Sequence, residues 1–158
     1  MQIRRATLHD VPQLKSLYQG TITHINRAHY NPEQIRAWAA TGERIASLEN
    51  KIKAQHFYTA VTTDGQVTGF ASLENDGELD MMYVHKDYQG QGIATLLITA
   101  LYKKAAELGL KMLTAYVSIT ARPFFEKQGF RVVEAQQVQL GEVELENYKM
   151  VKDCDSCD

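Results

Sequence analysis

The chain has 158 residues, a length that suits one domain around a single buried core. With 44% hydrophobic and 23% charged residues it has an ordinary globular composition. A formal net charge of −2 gives no electrostatic grip on a polyanion, so nucleic acid is not an expected partner.

Met1 to Arg5 leads into mixed polar sequence rather than an apolar signal segment. The longest near-apolar stretch, Ala94 to Tyr102, is far too short to span a bilayer. The expectation is therefore a cytoplasmic protein with no membrane partner. Ile3 to Ala6 reads as a first strand. Asp10 is placed to cap a helix with Pro12 in its first turn, and Leu14, Leu17 and Tyr18 form its apolar stripe. The pattern weakens after Gly20, through Thr21 to Tyr30. Asn31-Pro32-Glu33-Gln34 is a strong helix start, with a capping residue, proline at the first helical position and Gln34 able to reach back. Ile35, Trp38 and Ala39 share that helix's inner face. Another helix is expected from Glu43 to about Ala54, with Ile45, Leu48 and Ile52 inward.

The period then changes to two. Phe57 to Thr62, Thr68 to Glu74 and Glu78 to Val84 read as three strands, separated by the hairpin dipeptides Asp64-Gly65 and Asp76-Gly77. A long helix follows from about Gly92 to Leu108, its stripe made by Ile93, Leu97, Ala100, Leu101, Lys104 and Leu108. Gly109 stops it. Met112 to Val117 is the next strand and Arg122 to Gln128 a short helix ended by Gly129. Phe130 to Gln139 and Val143 to Val151 form a last hairpin. A strand–helix–strand crossover through the long helix makes its two strands parallel. The fold class is α/β (α+β): a mixed, mostly antiparallel sheet of about seven strands flanked by helices. Residues 1–152 form one domain, and Asp153 to Asp158 is expected to be an unstructured acidic tail. Its Cys154 and Cys157 could supply half a zinc site, but nothing nearby supplies the other half, and the five histidines lack metal-motif spacing. No metal is expected.

The informative stretch is Tyr83-Val84-His85-Lys86-Asp87-Tyr88-Gln89-Gly90-Gln91-Gly92-Ile93-Ala94, which joins a strand directly to the long helix. Gly90 and Gly92 clear space for a ligand. The amides from Gly90 to about Thr95 are the helix's first donors and have no partner inside it. With the helix dipole they make an anion site suited to a pyrophosphate. A Walker loop fits worse, since Gly92-Ile93-Ala94 lacks the Gly-Lys-Ser/Thr sequence. A dinucleotide fingerprint also fits worse, since Thr95 stands where it needs Gly or Ala.

Gln89-Gly90-Gln91-Gly92-Ile93-Ala94 resembles the Gln/Arg-x-x-Gly-x-Gly/Ala signature of the GNAT superfamily of N-acetyltransferases. Met82 to Tyr88 resembles the strand and loop before that signature. Ala121-Arg122-Pro123-Phe124-Phe125-Glu126-Lys127-Gln128-Gly129-Phe130 resembles the family's Ala-x-x-Phe-Tyr-Glu-Lys-x-Gly-Phe segment. The element order agrees with that fold. The resemblance implies acetyl-CoA as co-substrate. Gln89, Gly90, Gln91, Gly92, Ile93, Ala94 and Thr95 then cradle the pyrophosphate. The backbone around Met82, Tyr83 and Val84 pairs with the pantetheine arm like an added strand. The strand carrying Met82 splays from the Met112 to Val117 strand, and the thioester lies in the gap. Two positions depart from the family. Ser118 stands where asparagine is frequent. Phe125, placed beside the cofactor, stands where a tyrosine usually protonates the leaving thiolate, so either another group serves or the thiolate leaves unaided, its thiol having a pKa of about 8.5.

An amine must lose a proton to attack a thioester. Glu78, Asp80, Met82 and Val84 share strand parity, and Asp80 lies about 7 Å before Met82. Asp80 is the first candidate for base or ammonium-orienting group and Glu78 the second. Tyr116, with the parity of Ser118, is the nearest replacement acid. His24, His29, Tyr30 and Trp38 are candidates for the acceptor side, because the resemblance puts the segment between the first helices over that site. No acyl-carrying nucleophile is apparent. The expected activity is direct acetyl transfer to an amine of a small molecule or a peptide, by a monomer or a homodimer. Two rival readings fit the same residues: a CoA-binding sensor that kept the cradle and lost the chemistry, and a toxin-like enzyme acetylating charged tRNA, which the net charge disfavours.

Overall fold

The period-two segments assemble into one sheet of seven strands: β1 (Gln2–Arg5), β2 (His56–Val61), β3 (Val67–Leu73), β4 (Glu78–Val84), β5 (Met112–Ser118), β6 (Arg131–Leu140) and β7 (Val143–Asp153). The structure is a computed structural model and describes residues 1–154, apart from the Ile45 side chain. The expected inward packing of Ile45 and the Cys157 half of the cysteine pair lie outside the described residues. The strands run in the order β1-β2-β3-β4-β5-β7-β6. Neighbours are antiparallel except β4 and β5, which are parallel and joined through helix α4 (Ile93–Glu107). This is the mixed, mostly antiparallel architecture that the element order predicts.

Helices α4 and α5 (Arg122–Lys127) cover one face. There Ile93, Leu97, Ile98, Leu101 and Ala105 of α4 meet Ala60, Ala71, Leu73 and Leu79 of the sheet, with Phe125 and Phe130 at the α5 end. The buried stripe of α4 advances by fours to Ala105. It does not reach Leu108, which is exposed, and Lys104 drops out of it. Helices α1 (Val11–His24), α2 (Pro32–Ala40) and α3 (Ile45–Ala54) cover the other face. Val11, Leu14, Leu17 and Ile52 pack there on Phe57, Val67 and Phe70.

Several local expectations are corrected. Asp10 does not cap α1 with its side chain. Its carboxylate accepts two hydrogen bonds from Arg4, both at 2.8 Å, and one from the Thr7 amide. The Arg4 contact holds Asp10 below the usual carboxylate range. Helix α1 continues past Gly20 to His24. A mid-helix glycine costs about 1 kcal/mol, but Ile22 is fully buried and Thr21 donates from Oγ1 to the Val84 carbonyl at 2.8 Å, so tertiary contacts decide. Thr41–Glu43 forms a separate 3-10 turn, and α3 begins at Ile45. The Asn31–Gln34 capping box forms as read, each side chain meeting the other's amide at 2.8 Å. Strand β7 runs on to Asp153, which pairs with Met112, and the Cys154 amide donates to the Lys111 carbonyl.

Candidate active site

Strands β4 and β5 pair over only two positions, Glu78 with Thr114 and Leu79 with Ala115, and then separate. Just beyond that pairing β4 carries a bulge. Leu73 faces Leu79 and Ser72 faces Met81, so Asp80 is the extra residue. The bulge overturns the simple parity of Glu78, Asp80, Met82 and Val84. Leu79, on the other parity, joins the α4-side core with Met82 and Val84, while Asp80 turns to α3. An uninterrupted period of two cannot show an inserted residue.

The separated edge of β4 is open. The His85 amide donates to the Thr68 carbonyl of the β3 side. Hydrogen-bonding direction alternates along a strand, so the N–H and C=O groups of Met82 and Val84 face the opposite edge, into the gap. The Val84 carbonyl is met there by Thr21 Oγ1 and by Gln89 Nε2, each at 2.8 Å.

The loop from β4 enters α4 through Gly90 and Gly92, at φ of 72° and 80°, a conformation in which a side chain is strained. A Cβ at either position would meet no protein atom within 4 Å, so the space above them is open. The first hydrogen bond inside α4 runs from the Leu96 amide to the Gly92 carbonyl. The Ile93, Ala94 and Thr95 amides therefore have no helical acceptor and, with the helix dipole, form an anion site. Gln89 braces this loop against the end of β4 with its carboxamide.

A cavity of about 700 Å³ passes through the gap and joins the glycine loop to the α1–α2 side of the sheet. Met82, Tyr83, Val84, Gln89, Gly90, Gly92, Ile93, Ala94, Thr95, Ser118 and Phe125 line it, as do Asp80 and Tyr116. Gln91 and Glu78 do not. Ser118 Oγ accepts from the Ala121 amide at 3.1 Å and so also shapes the entry to α5. Phe125 is buried between Phe124 and Phe130, with ring centroids at 5.5 and 5.1 Å. It forms an apolar wall and has no proton to give. Tyr116 is 46% exposed and opposite in parity to the buried Val117, so its ring stands on the α1–α2 side of β5.

Asp80 is held by Lys51 Nζ at 2.6 Å and Gln55 Nε2 at 3.0 Å, both on Oδ2. Glu78 lies in the hairpin beside Glu74, Asp76 and Asp80. Burial first, and then the Glu74 and Asp80 charges, push its carboxyl up.

On the α1–α2 side of the gap, Tyr30 donates to the Glu146 carbonyl at 2.7 Å and accepts from the Ile119 amide at 3.0 Å, tying the segment after α1 to β7 and to the end of β5. Trp38 packs edge-on to Tyr30 and Tyr18 edge-on to Tyr83. Burial pushes the Tyr83 phenol well above its ordinary value. Of the two histidine candidates, His24 is exposed away from the cavity, and His29 sits at its rim with Nδ1 2.9 Å from Thr120 Oγ1. Sequence reasoning missed Thr21, Tyr18 and the Lys51–Gln55 pair, since an apolar stripe shows which residues face the sheet but not what the polar groups on the same helices hold.

The splayed parallel pair, the glycine loop opening α4 and the cavity through the gap define the acyl-CoA N-acyltransferase fold. Residues 26–152 match the family model described as the acetyltransferase (GNAT) domain. The chain is 33% identical over 150 residues to the N-acetyltransferase YafP of Escherichia coli (strain K12), covering 95% of this chain and 94% of that one. A crystal structure of a GCN5-related N-acetyltransferase from Rhodopseudomonas palustris superposes with a TM-score of 0.92 at 32% identity, covering 96% of this chain and 94% of that one. The L-amino acid N-acyltransferase MnaT of Escherichia coli (strain K12) is 27% identical, over 89% of this chain and 85% of its own. The protein belongs to the GNAT family and is an N-acetyltransferase. Among the described residues no helix is long and apolar enough to cross a membrane.

Proposed function

We propose that the protein transfers acetyl directly from acetyl-CoA to an amine of a small molecule or peptide, in a ternary complex in the cytoplasm. The observation that carries this reading is the single cavity joining the glycine loop of α4 to the aromatic roof through the β4–β5 gap. Its residues fit the co-substrate. The free amides of Ile93, Ala94 and Thr95 suit a pyrophosphate, and the β4 edge at Met82 and at the Val84 amide, whose carbonyl is already held by Thr21 and Gln89, suits an amide-bearing arm.

The acceptor enters as an ammonium ion and must lose one proton before its nitrogen attacks the thioester carbonyl. As the C–N bond forms the C–S bond breaks, the thiolate takes up a proton, and the products are the N-acetylamine, CoA and one net proton. Asp80 lines the cavity and is the group assigned to orient the ammonium and receive its proton, directly or through water. Glu78 lies outside the cavity and takes second place. Tyr116, the exposed phenol on β5, is assigned to protonate the thiolate in place of Phe125.

A second reading, a CoA-binding module without chemistry, draws on the buried Phe125. Calorimetric titration with acetyl-CoA followed by assay of CoA release in the presence of amines separates the two. Binding that Gly92→Glu loses, together with amine-dependent CoA release, supports transfer. Binding without release supports the sensor, and no binding by the unmodified chain removes both.

A further inference from the structure

The acceptor end of the cavity has a distinct chemistry. Tyr18, Tyr30, Trp38 and Tyr83 line it. Their rings are fixed in pairs, Tyr18 with Tyr83 at 4.8 Å and Tyr30 with Trp38 at 5.4 Å, both edge-on. Two hydroxyls are anchored as well, Tyr18 to Thr41 Oγ1 at 2.7 Å and Tyr30 to the Glu146 carbonyl at 2.7 Å. These walls are rigid and apolar and cost little ordering on binding. Asp80 and Glu146 are the ionisable carboxylates of the lining, and among the described residues no lysine, arginine or histidine lines the cavity. Lys51 stands behind Asp80, against a separate pocket of about 200 Å³. It holds Oδ2, as does Gln55, while Oδ1 has no hydrogen-bond partner among the described residues.

Resting on the transferase reading above, we infer that the acceptor is a primary aryl-alkyl amine with no carboxylate beside the amine. The ring lies against the aromatic walls and the ammonium approaches Asp80 Oδ1, helped by the faces of the surrounding rings. A carboxylate carried on the carbon next to the amine enters the same space beside Asp80 and finds no cation. Like charges brought together at a binding site repel and weaken binding. Amino acids, after which the relative MnaT is named, are therefore the discriminating rival.

The test uses matched pairs on the full chain: tryptamine against tryptophan and tyramine against tyrosine, with saturating acetyl-CoA and kcat/KM read from CoA release. The expected result is a preference for each amine over its amino acid on the order of 100-fold. Trp38→Leu should raise KM for tryptamine at least several-fold while the acetyl-CoA dissociation constant holds, a split that a merely structural role would not produce. Equal or faster acetylation of the amino acids overturns the inference and leaves the transferase reading standing. So does acetylation of a lysine peptide with neither aryl amine accepted. Failure to bind acetyl-CoA sinks the transferase reading itself.

Discussion

Asp80 shows how much one residue's position decides. It projects from a bulge, is gripped on Oδ2 by Lys51 and Gln55, and lines the cavity, with no hydrogen bond to Oδ1 among the described residues. Asp80→Asn keeps the shape and removes the charge. Turnover at neutral pH should fall about 100-fold or more while acetyl-CoA affinity holds. Tyr116→Phe should cost about tenfold, less than a typical acid because a thiolate is a tolerable leaving group. Full activity of either variant in steady-state assays removes the assigned role. Glu78 gives a pH signature. Burial and the neighbouring carboxylates raise its pKa on folding, so the folded state favours its protonated form. That contribution to stability is present below the unfolded value, about 4.3 for glutamate, and is lost as pH rises through the higher folded value. Glu78→Gln should therefore raise the melting temperature at pH 7, and the gain should vanish below about pH 4. A gain independent of pH would rule out the charge as its source.

Among the elements, the β4–β5 pair opens the site, and Gly77 fixes where it begins. At a φ of 100°, a Cβ there would lie 2.5 Å from the Met112 carbonyl oxygen, and the Gly77 carbonyl accepts from the Thr114 amide. The strands thus touch backbone to backbone at the start of the short pairing beyond which they diverge. Gly77→Ala combines left-handed strain with that clash and should destabilise the fold by roughly 2 kcal/mol or more in denaturant unfolding. An unchanged midpoint would mean the hairpin relaxes without cost. Helix α4 supplies the other half of the site. Its apolar stripe buries the helix on β2, β3 and β4, while its first residues line the cavity.

Across the whole molecule, the acceptor side depends on contacts between distant segments. Tyr30 joins the turn after α1 to β7 and to the residue after β5, across sequence separations of 116 and 89 residues. Tyr30→Phe leaves both partners unsatisfied. It should cost about 1–2 kcal/mol by chemical unfolding and raise the acceptor KM more than the acetyl-CoA KM. Equal rises in both would show that the roof does not shape the acceptor site separately.

The amino-acid sequence determined the strand order in the chain, the parallel crossover, the Asn31–Gln34 cap and the glycine loop that opens α4. Each of these follows from local patterning: a period of two or 3.6, a capping pair, or glycines between a strand and a helix. The same patterning misplaced the Asp10 cap and the facing of Asp80, and it faded before α1 ends. Arg4, the packing of Ile22 and a bulge against β3 decided those: a side chain on the preceding strand, contacts remote in sequence and a residue inserted into a register, none of which shows in a local period. Only the tertiary structure brought Lys51, Gln55, Tyr18, Tyr30 and Trp38 around the gap, because an acceptor site built from several elements leaves no periodic mark in any one of them.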